Sequence, residues 1–143
     1  MKITGLVSLC LIALSFTQEQ AILELEVTQI RSDRGVLLLS VYSAPDEYPY
    51  HPFRTIPLEK DSLKESGLRK VITDLLPGTY VFGLLDDENR SGTMEYTRLG
   101  IPLEGFGFSN NPKILFSRPD YERCQFTLKP GINRLQINTR YKH

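Results

Sequence analysis

Along most of the chain, apolar and polar positions alternate with the two-residue period of β-strands. Over residues 22–28, Leu23, Leu25 and Val27 share one face, while Glu24, Glu26 and Thr28 share the other, which predicts a half-buried strand. The turn Arg31-Ser32-Asp33-Arg34-Gly35 leads into residues 36–42, which are apolar on both faces. A strand of that kind is covered on both sides and belongs in the middle of a sheet. Residues 68–73 alternate again, and Leu76-Pro77-Gly78 then turns the chain into an apolar strand over residues 79–85. Proline second and glycine third fit a type II turn, whose third position needs a positive φ. Residues 121–128 and 132–141 read as two closing strands around Lys129-Pro130-Gly131, with Leu135, Ile137 and Tyr141 facing inward.

Between these strands the pattern breaks. Residues 43–57 carry Pro45, Pro49, Pro52 and Pro57, so no regular element is expected there. Residues 58–67 fit a short helix or an irregular polar stretch equally well. Six to seven short strands with turn signals and no long helical period define an all-β chain. The architecture expected is an antiparallel β-sandwich, immunoglobulin-like or prealbumin-like. No repeat or composition break divides it, so residues 22–143 form one domain.

The first residues stand apart. After Lys2, residues 3–16 (ITGLVSLCLIALSF) are free of charge and too short to span a bilayer, which takes roughly 20 residues. They match the apolar region of an export signal over residues 1–17, with small residues before a cleavage point at Ser15 or Thr17. Leu9 before Cys10, and the apolar run beyond it, argue against lipidation. The expected location is outside the cytoplasm (periplasm, envelope or medium), with no membrane span once the leader is cut.

Composition narrows the function. The 143 residues are 41% hydrophobic and 24% charged, as in a packed globule, and 17 basic residues balance 17 acidic ones. No net field attracts nucleic acid. Cleavage leaves Cys124 as the single cysteine, so no internal disulfide forms, and a buried small residue is its expected role. His51 and His143 have no partner at metal-ligand spacing.

Two motifs carry candidate chemistry. Asp87, Asn89 and Ser91 alternate before Gly92, the opening of a calcium loop of the EF-hand type. The twelfth loop position holds Arg98 where a bidentate glutamate is required, and the loop follows a strand, which excludes an EF-hand. A shorter loop closed by Glu95 still admits calcium, and calcium is the one cofactor suggested. Otherwise Asp87 and Asn89 bond the backbone as Asx-turns. Downstream, Gly105-Phe106-Gly107-Phe108 reads as a glycine-aromatic loop whose rings plug the end of the sandwich or form a ligand platform. Glu104 beside them either accepts backbone N–H bonds or pairs with Arg98 or Arg118. The candidate ligand-binding set is Asp86, Glu104, Phe106, Phe108 and Asn110.

These residues carry a resemblance. Leu75-Leu76-Pro77-Gly78-Thr79-Tyr80, Asp87-Glu88-Asn89 with Gly92, and Gly100 through Asn111 (GIPLEGFGFSNN) resemble the exported bacterial family known as domain of unknown function 2141. Phe116, Pro119, Tyr121, Glu122 and Phe126 extend the likeness, which covers residues 23–141. The resemblance implies an exported β-sandwich without an established activity. The chain departs from the family pattern at Asp86, which replaces a histidine, and at Arg90, Ser91 and Glu95; Cys124 stands where the family tends to have alanine.

Two function classes follow. One is a non-enzymatic binding or structural module, working through the acidic loop (residues 86–95) and the glycine-aromatic segment (residues 100–111) on an extracytoplasmic protein or glycan. The other is a hydrolase using Asp86, Asp87 and Glu104 as acid and base, which needs two carboxyl groups in one cleft. A subunit of an envelope assembly, exposing apolar surface near residues 48–53, is a third possibility.

Overall fold

The computed structural model describes residues 20–115 and 117–142, so the expected leader lies outside the described residues. Eight strands run in chain order: β1 (Ala21–Thr28), β2 (Val36–Tyr42), β3 (Arg54–Glu59), β4 (Leu68–Ile72), β5 (Gly78–Asp87), β6 (Gly105–Phe108), β7 (Gln125–Leu128) and β8 (Gly131–Asn138). A 3₁₀ turn (Lys60–Ser62) follows β3, and a single helical turn, α1 (Tyr121–Cys124), precedes β7. Among the described residues, no helix is long and apolar enough to cross a membrane.

The strands form a β-sandwich. One sheet has the order β4-β1-β8; the other has the order β3-β2-β5-β6, with β7 also paired to β5. All strand pairs are antiparallel except β1 with β8, which run parallel from Ala21 opposite Gly131 to Thr28 opposite Asn138. The far edge of β5 serves two partners in turn: Gly78–Val81 pairs with β7, and Gly83–Asp86 pairs with β6.

The alternation read in β1 places its apolar face in the core. Leu23, Leu25 and Val27 pack between the sheets with Leu37, Leu39 and Val41 of β2, Phe82 and Leu84 of β5, and Leu135 and Ile137 of β8. Each such side chain contributes about 1.5–3 kcal/mol by leaving water. The second apolar face of β2 is explained by a smaller core on the outer side of the five-stranded sheet. There Tyr42, Val81, Tyr121 and Cys124 are buried, with Tyr48 and Phe108 packed on them. The segment after β2 is held on this face by Tyr48, whose hydroxyl donates to the Pro119 carbonyl at 2.7 Å, and by Tyr42, which donates to the Pro49 carbonyl at 2.9 Å.

One turn and three elements differ from the sequence expectation: Gly78 does not take the positive φ that a type II turn at Leu76-Pro77-Gly78 requires, because it already belongs to β5. β3 runs through Pro57, which the proline count had placed in irregular chain. β3 is an edge strand paired only with β2, and an edge tolerates a missing N–H. The strand expected over residues 121–128 begins as the turn α1 and becomes extended only at Gln125. The Gly-Phe-Gly-Phe segment is a strand, β6, and not a loop.

Beyond β8 the chain leaves its own sheet and joins the other. Phe106 N–H donates to the Arg140 carbonyl at 2.9 Å, and Arg140 N–H donates to the Phe106 carbonyl at 2.8 Å. This crossing closes the sandwich along β6 and protects an otherwise open edge.

Candidate functional site

Asp86, Asp87 and Glu88 are consecutive, and the strand sends them to different partners. Asp86 faces the sandwich interior and is fully buried. Lys60 Nζ stands 2.5 Å from its Oδ1, an ion contact without aligned hydrogen-bond geometry. The same ammonium donates to the carbonyls of Ser32 (3.0 Å) and Arg34 (2.6 Å). Tyr141 donates its hydroxyl to Asp86 Oδ2 at 2.5 Å and accepts the Arg31 N–H at 3.0 Å. Burial, then the bond to Asp86, raises the Tyr141 phenol far above its usual range. This charge pair clamps the 3₁₀ turn, the turn before β2 and the C-terminal segment onto β5. Lys60, lying in a polar stretch, gives no sequence signal of this role.

Asp87 lies on the opposite face and locks the loop after β5. Its Oδ1 accepts the Ser91 N–H at 2.9 Å, and its Oδ2 accepts the Gly92 N–H at 2.8 Å. Asn89 Oδ1 accepts the Ser91 N–H at 3.0 Å, its Nδ2 donates to Glu95 Oε2 at 2.6 Å, and Ser91 Oγ donates to the Thr93 carbonyl at 2.9 Å. The suggested calcium donors therefore bond the loop and one another. Among the described residues, no three His, Cys, Asp or Glu side chains converge as a metal ion requires. Glu88 takes Arg31 at 2.5 Å and Ser32 at 2.5 Å. The Arg31 bond first, and the Ser32 bond after it, hold its carboxyl down at about 2 against a desolvation cost.

Glu104 is 4% exposed, and neither carboxylate oxygen has a hydrogen-bond partner. Burial raises its pKa above the ordinary glutamate value, and repulsion from Asp87 and Glu95 adds to the shift. The amides of Glu95 and Glu88 oppose it without reaching hydrogen-bond geometry. Among the described residues it forms no ion pair with Arg98 or Arg118, in contrast to one sequence expectation.

In β6 the glycines and phenylalanines divide the two faces. A Cβ on Gly105 would lie 2.3 Å from the Tyr141 ring, and one on Gly107 would lie 2.6 Å from Ile137 Cγ2. Glycine is thus required by the close approach of β8 and its continuation. Phe106 and Phe108 point outward, half-buried, with ring centroids 6.3 Å apart and edge to face. They stand over the outer face of the sheet and not at the end of the sandwich. Asn110 is engaged elsewhere, donating Nδ2 to the Gln125 carbonyl at 2.6 Å. Asn111 bonds the Gln136 carbonyl and the Asn138 N–H, each at 2.8 Å, and the Ser109 hydroxyl donates to the Cys124 carbonyl. Ser109-Asn110-Asn111 therefore staples β6 to α1 and β8. Cys124 is buried, and that burial pushes its thiol up to about 11.

Around the outward phenylalanines lies a cleft of about 650 Å³. Leu38, Ser40, Gly83 and Leu85 form its floor; Tyr42, Tyr50, Tyr96, Phe106 and Phe108 wall it, and Arg118 and Lys142 reach its mouth. Asp86, Asp87, Glu104 and Asn110 do not line it. A larger concavity of about 790 Å³ overlies the other sheet. Its charges neutralise each other in pairs, Arg134 with Glu24 at 2.9 Å and Arg69 with Glu26 at 2.8 Å, as on a solvated face.

The molecule is thus an all-β sandwich with an aromatic cleft on one outer face and a hydrogen-bonded acidic loop at its rim. The family described as "uncharacterized protein conserved in bacteria (DUF2141)" matches residues 25–136, and the chain belongs to that family. No curated protein and no solved structure matches the chain.

Proposed function

We propose that this protein is an exported, non-enzymatic binding module that takes its ligand in the cleft on the outer face of the five-stranded sheet. The observation that carries this reading is the cleft itself. Its roughly 650 Å³ falls within the size range of small-molecule sites, and five aromatic side chains line it. Tyr50 and Tyr96 remain 77% and 50% exposed, which leaves ring surface at the cleft for a ligand to cover. The loop after β5 contributes Gly92, Thr93, Met94 and Tyr96 to the wall, while its acidic residues hold the loop in place. Export rests on the leader pattern of residues 1–17. A carboxylate hydrolase is disfavoured because Asp86 and Asp87 point to opposite faces of β5 and, among the described residues, no Asp or Glu side chain lines the cleft.

Titration with the neutral dye Nile red tests the reading. One saturable site is expected, lost in Ser40→Trp, where the added ring fills the floor. Absence of a saturable site, or undiminished binding by the variant, would refute it. The N-terminal mass of protein recovered from the cell exterior tests export.

A second reading, weak calcium binding at the loop, is favoured by the unpartnered Glu104 carboxylate beside Asp87. Asn89, Ser91 and Glu95 would complete the donors only after the loop rearranges, because the three carboxylates do not converge as they stand and the Asn89–Glu95 hydrogen bond would have to break. Calcium calorimetry on the wild type and Asp87→Ala decides it: no saturable heat removes this reading.

A further inference from the structure

We infer that the cleft selects a small anionic amphiphile, with an apolar body lying on the phenylalanines and a carboxylate head at the Arg118–Lys142 mouth. This rests on the binding-module reading and adds the chemical class of the ligand. Among the described residues, the charges lining the cleft are of one sign: Arg118 and Lys142 are its ionised side chains, and no aspartate or glutamate offsets them. Neither cation forms an ion pair among the described residues, whereas eight other lysines and arginines do. The chain as a whole is neutral, so this is a local property of the cleft and not a consequence of net charge.

The polar groups also argue against a glycan. A polyhydroxylated ligand is gripped by planar carboxylate and amide side chains that bond neighbouring hydroxyls in pairs. Among the described residues, the lining holds no Asp, Glu, Asn or Gln, and its neutral polar side chains are the hydroxyls of serine, threonine and tyrosine. Most of the remaining surface is apolar, from Leu38 and Leu85 on the floor to Phe106 and Phe108 on the wall. Such a surface gains from burying an alkyl or aromatic body.

The placement of the cations fits one charged end. The Arg118 guanidinium lies 5.6 Å from the centre of the Tyr50 ring, which holds it at the rim by cation–π attraction. Arg118 and Lys142 are both exposed, so a carboxylate meeting them stays partly hydrated and avoids the desolvation cost of a buried pair. Their long stems keep the charge adjustable while the floor fixes the body.

Calorimetric titration of the purified protein with decanoate, 1-decanol and decyltrimethylammonium tests this. Decanoate is expected to bind one-to-one and about tenfold or more tighter than the cationic analogue. The double variant Arg118→Gln/Lys142→Gln should lose about tenfold for decanoate and leave 1-decanol unchanged. Circular dichroism melts establish that the variant folds. Equal affinity for decanoate and 1-decanol, or a double variant that binds decanoate normally, would overturn the anionic assignment and leave the cleft as a binding site. No binding of any of the three would overturn both.

Discussion

Glu104→Gln should make the protein more stable at neutral pH, which is unusual for a substitution at a buried position. Glu104 is 4% exposed, both its carboxylate oxygens lack partners, and Asp87 and Glu95 repel its charge. A buried polar group without a partner costs about 1–3 kcal/mol, more when charged, and the nearby amides of Glu95 and Glu88 return part of that. Removing the charge while keeping the shape should therefore gain about 1–2 kcal/mol at pH 8. For a domain of this size, that corresponds to a melting temperature higher by about 4–8 °C.

The pH dependence supplies the sharper test. The folded-state pKa of Glu104 is raised, so the native protein binds this proton more tightly than the unfolded chain does. The stability contributed by the neutral carboxyl is complete below the ordinary glutamate value of 4.5 and is lost as pH rises through the folded-state value. The advantage of the glutamine should then be small at pH 4 and full at pH 8. Melts followed by circular dichroism at both pH values measure it. A variant less stable than wild type at pH 8, or an equal difference at both, would refute the uncompensated burial of this carboxylate. A wild type that closes the gap only when calcium is added would instead support the loop as a cation site.

Three further expectations come from the packing. Lys60→Met strands the fully buried Asp86 and should cost about 3–5 kcal/mol in urea unfolding, with the double variant Lys60→Met/Asp86→Leu less damaging; a near-neutral single variant would remove the clamp. Gly107→Ala forces a Cβ to 2.6 Å from Ile137 Cγ2 and 2.9 Å from the Asn138 carbonyl, and should cost about 1–3 kcal/mol; an unchanged melting temperature would mean β8 can yield. Cys124, buried and with its thiol raised to about 11, should react with a disulfide reagent at pH 8 only after unfolding; fast reaction of the native protein would contradict its placement.

The parts of the fold legible in the sequence are those fixed by local period. β1 alternates because one face meets the core, and β2 is apolar on both faces because each side of its sheet carries a core. Pro57 hid β3, since a proline rule written for central strands does not hold at an edge. The one-turn helix before β7 is too short to show a helical period.

The acidic residues were the hardest to read, because composition groups them and the strand separates them. Asp86 turns inward to Lys60, a partner 26 positions away that no local pattern announces. Asp87 turns outward to the Ser91 and Gly92 amides, and Glu88 reaches back to Arg31 and Ser32. A run that reads as clustered negative charge is distributed among a cation, a loop backbone and a guanidinium, so little of it is left to act on a ligand. The strongest chemical signal in the sequence thus belongs to the frame. The surface it supports is uncharged along its floor and cationic at its mouth, assembled from three separate stretches of the chain that supply Tyr50, then Phe106, Phe108 and Arg118, and finally Lys142. Only the return of β6 against β5, with its glycines turned inward, sets both rings over that floor, and this explains why Gly-Phe-Gly-Phe reads as a loop until the β8 contact is known.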